Sequence, residues 1–167
     1  MSLRDLIDHI VSTHHAMLRL QMPRALKLLE ESGAHRSPRS ATLAALGDVL
    51  RPMWQEMKAH IVREEQVVFP AIVLLDHARS RPGIHDGKID EVIEDLDHDH
   101  ELARDAQKLI RDLTNGFEKP PDADQAYCTL MNTLASLDAD LSEHTRLEDQ
   151  VLFPKARQAE AEWVRCR

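Results

Sequence analysis

The sequence predicts an all-α protein, and three observations support this fold class. Glycine occurs only 5 times and aromatic residues make up 4% of the 167 residues, while Leu, Ala, Glu, Asp and Arg are abundant. This composition is typical of helical proteins. Long stretches lack turn-forming residues, and none alternates apolar and polar residues as a strand does. We therefore predict that residues 1–167 form one domain with a sizeable core, an up-down-up-down four-helix bundle.

Turn signals place the boundaries between the helices. The expected helices span about residues 3–31, 40–75, 88–114 and 122–160. Gly, Ser and Pro in residues 33–39 end the first helix, and Arg81-Pro82-Gly83 lies in a second expected loop at 77–87. Ser40 and Asp122 are the expected N-caps of the second and fourth helices. Pro70 is expected to end or bend the last turn of the second helix.

Charge, hydropathy and cysteine content exclude several functional classes. The formal net charge is −8, which argues against nonspecific nucleic-acid binding. No apolar stretch approaches the roughly 20 residues of a membrane span. The opening residues are expected to begin an amphipathic helix and not a signal peptide, so we predict a cytoplasmic location. Cys128 and Cys166 lack CxxC spacing and are expected to be ordinary thiols, with a redox or transfer role as the alternative for Cys166.

An internal repeat carries the strongest chemical signal. The segments from His60 to Pro70 and from His144 to Pro154 share the pattern H-x-x-x-E-x-Q-V-x-F-P. A His and a Glu four residues apart share one side of a helix. Two helices thus supply two imidazoles and two carboxylates, which is most of a ligand set for two carboxylate-bridged metal ions inside a helix bundle.

Both copies of the repeat lie on apolar seams that should face the core. The second-helix seam is Leu50, Met53, Met57, His60, Glu64 and Val67, and the fourth-helix seam is Leu130, Leu134, Leu137, Leu141, His144, Glu148 and Val151. A single H-x-x-x-E is usually a surface pair. Two unpaired carboxylates in a core, however, would cost several kcal/mol each and repel one another. Bound cations remove both problems, so the repeat favours metal binding. Phe69 and Phe153 are expected to pack at one end of the bundle.

The first and third helices should add further histidines. On the third helix, Ile89, Ile93, Leu96, His100 and Ala103 form a seam, which directs His100 inward and His98 outward. The alternative for His100 is a hydrogen-bonded core histidine. On the first helix, periodicity does not decide between His14 and His15. Arg19 is a candidate to pair with an acid and orient the site. Glu65 and Asp149 are expected to be either solvated charges or groups that orient a ligand histidine.

Four blocks of sequence, in order, resemble one known family. They are His14-His15-Ala-Met-Leu-Arg19-Leu-Gln-Met-Pro23, the segment from His60 to Pro70, His100 followed by Ile110-Arg111, Thr114 and Pro120-Pro121, and the segment from Asp140 to Pro154. Over about residues 5–157, the chain resembles the hemerythrin-like domain of the Repair of Iron Centers family, di-iron proteins of iron–sulfur cluster repair. It departs from the family pattern at Arg104, where a small residue is common, and at Asp149-Gln150, where two asparagines are usual.

The resemblance implies a site and a function. It selects His15 over His14, and implies His15, His60, His100 and His144 as terminal ligands with Glu64 and Glu148 as bridges. The implied cofactor is two non-haem iron ions, further bridged by an oxo or hydroxo group. Manganese would also suit these ligand types. The implied role lies in the oxidative and nitrosative stress response, as a source of iron for damaged iron–sulfur proteins that also binds or reduces nitric oxide. The alternatives are an O2 or NO sensor or store, and a di-iron peroxidase, so enzymatic activity stays open.

Overall fold

Four long helices form the described part of the chain, as predicted. The computed structural model describes residues 2–33, 39–77 and 89–165. Three of the helices contain a π-helical turn between two α-helical parts. The bounds are Leu3–His9, Ile10–His15 (π) and Ala16–Gly33 for α1; Ser40–Arg63, Glu64–Val68 (π) and Phe69–His77 for α2; Ile89–Leu113 for α3; and Gln125–Leu147, Glu148–Leu152 (π) and Phe153–Arg165 for α4. No strand occurs in these three ranges.

The ends of the helices differ in detail from the sequence prediction. The predicted cap Ser40 is the first helical residue of α2, and the capping position is Arg39, whose side chain forms no capping hydrogen bond. The fourth helix begins at Gln125 because the carboxylate of Asp124, and not that of Asp122, accepts a hydrogen bond from the amide of Tyr127 at 2.8 Å. α2 continues past Pro70 to His77. The two predicted loops, at 33–39 and 77–87, lie outside the described residues except at residues 33, 39 and 77, and Cys166 also lies outside them.

The helices run up-down-up-down. The start of α1, Leu3–His9, packs against the end of α2, Phe69–His77, so these neighbours are antiparallel. The start of α3 meets the end of α4, where the amide of Ile89 donates to Oε1 of Glu160 at 3.2 Å. α1 lies beside α2 and α4, and α3 lies beside the same two helices. None of the described helices is long and apolar enough to cross a membrane.

The core consists of two apolar clusters with a polar layer between them. One cluster includes Leu18, Leu50, Leu134 and Leu141, and the other includes residues near both ends of the chain such as Leu6. The layer between them holds histidines and glutamates that are as buried as the leucines. A polar layer enclosed on both sides by apolar side chains excludes water from the groups within it.

The π turns change which residues after the glutamates are buried. We predicted that Val67 and Val151 continue the apolar seams; this is wrong for Val67, whereas Val151 packs at the edge of the second apolar cluster. Val67 is 49% exposed and its neighbour Val68 only 1%; Val151 is half-buried, and Leu152 takes its place in the core. A π turn contains one more residue than an α-helical turn, so it rotates every later residue by one position. The phenylalanines of both repeats reach the core as a result, and both are buried as predicted.

Candidate metal centre

The structure brings the six predicted ligand residues together in the polar layer. His15 comes from α1, His60 and Glu64 from α2, His100 from α3, and His144 and Glu148 from α4; each is at most 1% exposed. The seam on α3 places His100 inside, as predicted, and His98 points to solvent. All four helices therefore contribute side chains to one buried cluster.

The cluster divides into two positions that share both carboxylates. His15, His144, Glu64 and Glu148 surround one position, and His60, His100, Glu64 and Glu148 surround the other. Within each group the candidate ligand atoms lie within 4.8 Å of one another. We refer to them as the His15/His144 position and the His60/His100 position. Each glutamate therefore belongs to both groups, as a bridging ligand does.

The distances between donor atoms fit a shared metal site. Oε2 of Glu64 lies 3.2 Å from Nε2 of His15, and its Oε1 lies 3.2 Å from Nε2 of His60. Glu148 repeats this arrangement, with Oε2 at 3.1 Å from His100 and Oε1 at 3.0 Å from His144. Two ligands at about 2.1 Å from one metal ion and at right angles to each other are about 3.0 Å apart. The donor atoms thus have the spacing of neighbouring ligands in a coordination shell.

The two glutamates lack other partners. Apart from these four histidines, no described residue bonds to the carboxylate oxygens of Glu64 and Glu148, although all four oxygens are buried. Buried carboxylates are normally hydrogen-bonded, because burial without compensation costs several kcal/mol. Oxygen and imidazole donors without other partners suit a first-row transition metal. The residues present therefore fit a pair of metal cations.

Carboxylates outside the cluster orient three of the four histidines. Nδ1 of His15 donates to Oε1 of Glu65 at 2.7 Å, and Arg19 holds the same carboxylate through two bonds of 2.9 Å. Nδ1 of His100 donates to Asp149 at 2.7 Å, and Arg104 pairs with Asp149 at 2.9 Å. Glu65 and Asp149 thus take the second of their two predicted roles, and Arg19 pairs with an acid as predicted. Because each of these histidines donates its Nδ1–H to a carboxylate, its Nε2 faces the cluster and can offer a lone pair to a metal ion.

The third orienting carboxylate was missed from the sequence. Nδ1 of His60 donates to Oδ2 of Asp99 at 3.1 Å, and Arg63 contacts the same oxygen at 3.1 Å. Asp99 directly precedes His100, so it lies about 100° further around α3 and faces α2. The sequence did show an acid directly beside the inward-facing His100. Only the rotation of α3 against α2, however, reveals that this acid bonds to His60.

The close carboxylates shift the pKa values of the cluster. Burial alone would lower the pKa of His100, but hydrogen bonds and attraction from Asp149 and Glu148 outweigh it and raise that pKa to about 10. The pKa values of His15 and His60 are raised for the same kind of reason, against burial, by Glu64 above all. Burial opposes ionisation of Glu64, yet the nearby histidines hold its pKa far below the usual range. Without metal, His15, His60 and His100 therefore hold their protons more tightly than free histidines do.

Two aromatic contacts and one separate histidine complete the layer. Phe69 stacks on the ring of His15 and Phe153 on that of His100, with centroids 5.8 and 6.0 Å apart. His14 is also buried, but it stays out of the cluster, and its Nδ1 lies 2.8 Å from Oδ1 of Asp140. The choice between His14 and His15 that periodicity left open is thus made by the structure, which places His15 among the other five residues.

Comparison with known proteins agrees with this arrangement. The model of the hemerythrin HHE cation binding domain matches residues 6–156. The chain belongs to this family. Proteins described as iron-sulfur cluster repair protein YtfE, from Citrobacter koseri and from Escherichia coli O157:H7, are each 27% identical over 154 residues. The alignment covers 92% of this chain and 66% of each relative, so the chain spans somewhat less than two thirds of their length.

Proposed function

We propose that the six clustered residues hold two iron ions, one at each position, with Glu64 and Glu148 bridging them. The four buried carboxylate oxygens of Glu64 and Glu148 support this most directly, because only the histidines of the cluster lie beside them and two cations would be bound by all four. Each ion would have two histidines and two carboxylate oxygens from the protein. Family membership supports cation binding, and imidazole with carboxylate is a donor set that iron accepts readily.

We further propose that the protein supplies iron to iron–sulfur clusters that have lost it, in the cytoplasm, during oxidative or nitrosative stress. The similarity to the two YtfE relatives, whose names state iron–sulfur cluster repair, supports this role. The ligands support it as well, because carboxylate and imidazole hold ferrous iron less tightly than the thiolates of a cluster do. When bound, iron would supply exchangeable ferrous ions and leave positions for small diatomics such as NO or O2.

The protein surface around the site supports exchange of the ions. The side chains of Glu65, Asp99 and Asp149 are 26%, 29% and 26% exposed, while the histidines they contact are buried. Three of the histidines are therefore joined to solvent through one carboxylate each. At these three places one layer of side chains separates the buried cluster from solvent, so a departing ion has a short path to the surface.

An iron-transfer assay tests the proposed function. Protein loaded anaerobically with ferrous iron is mixed with a [4Fe–4S] protein that has lost iron by oxidation, together with a thiol reductant. We expect the absorbance of the cluster and the activity of the target to return faster than with the same concentration of free ferrous iron and a chelator. The matched control is Glu64→Ala/Glu148→Ala. If wild type and this variant restore the cluster equally, the protein is not the iron source.

A further inference from the structure

The two halves of the bundle repeat the same surroundings for the metal cluster. His15 on α1 contacts Glu65 and, through it, Arg19, and stacks on Phe69. His100 on α3 contacts Asp149 and, through it, Arg104, and stacks on Phe153. The arginine follows its histidine by four residues in both cases. A rotation that exchanges α1 and α2 with α3 and α4 therefore relates the two halves residue by residue.

This correspondence breaks at one place. Asp99, just before His100, accepts the Nδ1 hydrogen bond of His60. The corresponding residue, just before His15, is His14, and it cannot serve His144 in the same way. His14 instead stacks in parallel on His144 with ring centroids 5.7 Å apart, and its Nδ1 is used by Asp140. Among the described residues nothing accepts a hydrogen bond from Nδ1 of His144, although this atom is buried.

The two metal positions consequently differ in the support of their histidines. Both histidines of the His60/His100 position donate to a carboxylate that is paired with an arginine. At the His15/His144 position only His15 does so. A carboxylate partner fixes the ring and strengthens the imidazole as a donor, and losing one typically lowers metal affinity about 10–100-fold.

We infer that the ion at the His15/His144 position is the exchangeable one, and that the ion at the His60/His100 position is retained. This inference rests on the proposed function and identifies which of the two ions would be passed on. The difference between the two positions comes from one residue: His14 lies where the other half of the bundle has an acid, Asp99.

Release of iron to a ferrous chelator tests the inference. Protein holding two ferrous ions is mixed anaerobically with a chelator that becomes coloured on binding, and release is followed over time. We expect two phases of equal amplitude, with the first at least about tenfold faster. Crystals of protein stopped between the phases should show anomalous scattering from iron between His60 and His100. Release in a single phase, or iron retained between His15 and His144, would overturn the inference.

Four variants connect the phases to the residues. Glu65→Gln should accelerate the fast phase and leave the slow one, whereas Asp99→Asn should accelerate the slow phase. Asp138→Asn is the matched control, because Asp138 also pairs with an arginine, Arg111, but contacts no histidine of the cluster. His14→Asp with Asp140→Asn places a carboxylate beside His144 and should slow the fast phase about tenfold. Acceleration of the wrong phase by Glu65→Gln or Asp99→Asn contradicts the inference.

The outcomes separate this inference from the proposed function. Protein without bound iron, or protein that binds iron but restores no cluster, would contradict the proposed function. Protein that binds two ions and restores clusters, but loses the His60/His100 ion first, would contradict this inference alone.

Discussion

Asp149 on α4 accepts a hydrogen bond from Nδ1 of His100 on α3 at 2.7 Å, and its other oxygen is held by Arg104. Asp149 and Arg104 are two positions where the sequence departs from the family pattern described above, and in the structure they form one ion pair. The pair joins the two helices across 45 residues of sequence. The two departures thus compensate each other and give His100 a charged partner.

The first prediction concerns this pair. Asp149→Asn keeps the shape of the side chain but removes the charge that strengthens His100 as a donor. We expect the affinity for ferrous iron to fall about 10–100-fold, with little change in the helical circular dichroism. Competition with a chelator of known affinity measures the change. Asp95→Asn is the control, because Asp95 is exposed on α3, the helix that carries His100, and an equal loss of affinity in the two variants would contradict the assigned role.

The second prediction concerns metal removal. The proposed pair of cations between Glu64 and Glu148 would bind only the folded chain and would therefore stabilise it. Free metal at 100 times its dissociation constant stabilises by about 2.7 kcal/mol for one site, which is roughly 5–11 °C in Tm for a domain of this size. Differential scanning calorimetry with and without chelator measures this shift. In Glu64→Ala/Glu148→Ala the chelator should have no effect; a wild-type Tm that does not change either would argue against the site.

The third prediction concerns protons. In the metal-free protein the pKa values of His15, His60 and His100 are raised, that of His100 to about 10. The His100 ring is therefore protonated at neutral pH, and metal must displace its proton; the raised pKa values of His15 and His60 act in the same direction. We expect loading at pH 7 to release about one proton or more per chain, and the apparent metal affinity to rise with pH until it levels off near pH 10. Titration calorimetry in buffers of different ionisation enthalpy counts the protons, and loading without proton release would contradict the raised pKa values.

The fourth prediction concerns the start of α4. Asp124→Ala removes the carboxylate that caps the amide of Tyr127 and should lower the free energy of unfolding by about 1 kcal/mol. Asp122→Ala removes only an ion pair with Arg39, on a residue that is largely exposed, and should change it by less than about 0.5 kcal/mol. Urea unfolding of both variants decides between them. A larger loss of unfolding free energy in Asp122→Ala than in Asp124→Ala would instead identify Asp122 as the cap, as expected from the sequence.

Much of the fold could be predicted because the chain is regular. Four long segments with apolar seams and clear turn signals leave little choice of architecture, and the observed helices agree with it. The cluster residues on α2, α3 and α4 followed from the same periodicity. His15 did not, because the apolar face of α1 is broad enough to admit His14 as well. Only the family resemblance indicated His15 before the structure placed it.

The remaining features depend on geometry that periodicity does not contain. A π turn adds one residue to a turn without any residue type that announces it, so Val67 was expected inside and lies outside. The contact between Asp99 and His60 joins residues 39 apart in the sequence, and it follows from how α3 is rotated against α2. The same holds for the stacking of His14 on His144. The periodicity of residues along a helix predicts on which face of that helix a residue lies. It does not predict which residue of the neighbouring helix this residue contacts.

The central claim is that Glu64 and Glu148 bridge two metal ions, and metal content per chain tests it most directly. Wild type and Glu64→Ala/Glu148→Ala are purified anaerobically beside Glu94→Ala/Glu101→Ala, which removes the same charge from exposed positions. We predict two iron ions per chain in wild type and in the exposed variant, and none in Glu64→Ala/Glu148→Ala. A folded wild-type protein without metal, or a double variant that retains its iron, would contradict the account.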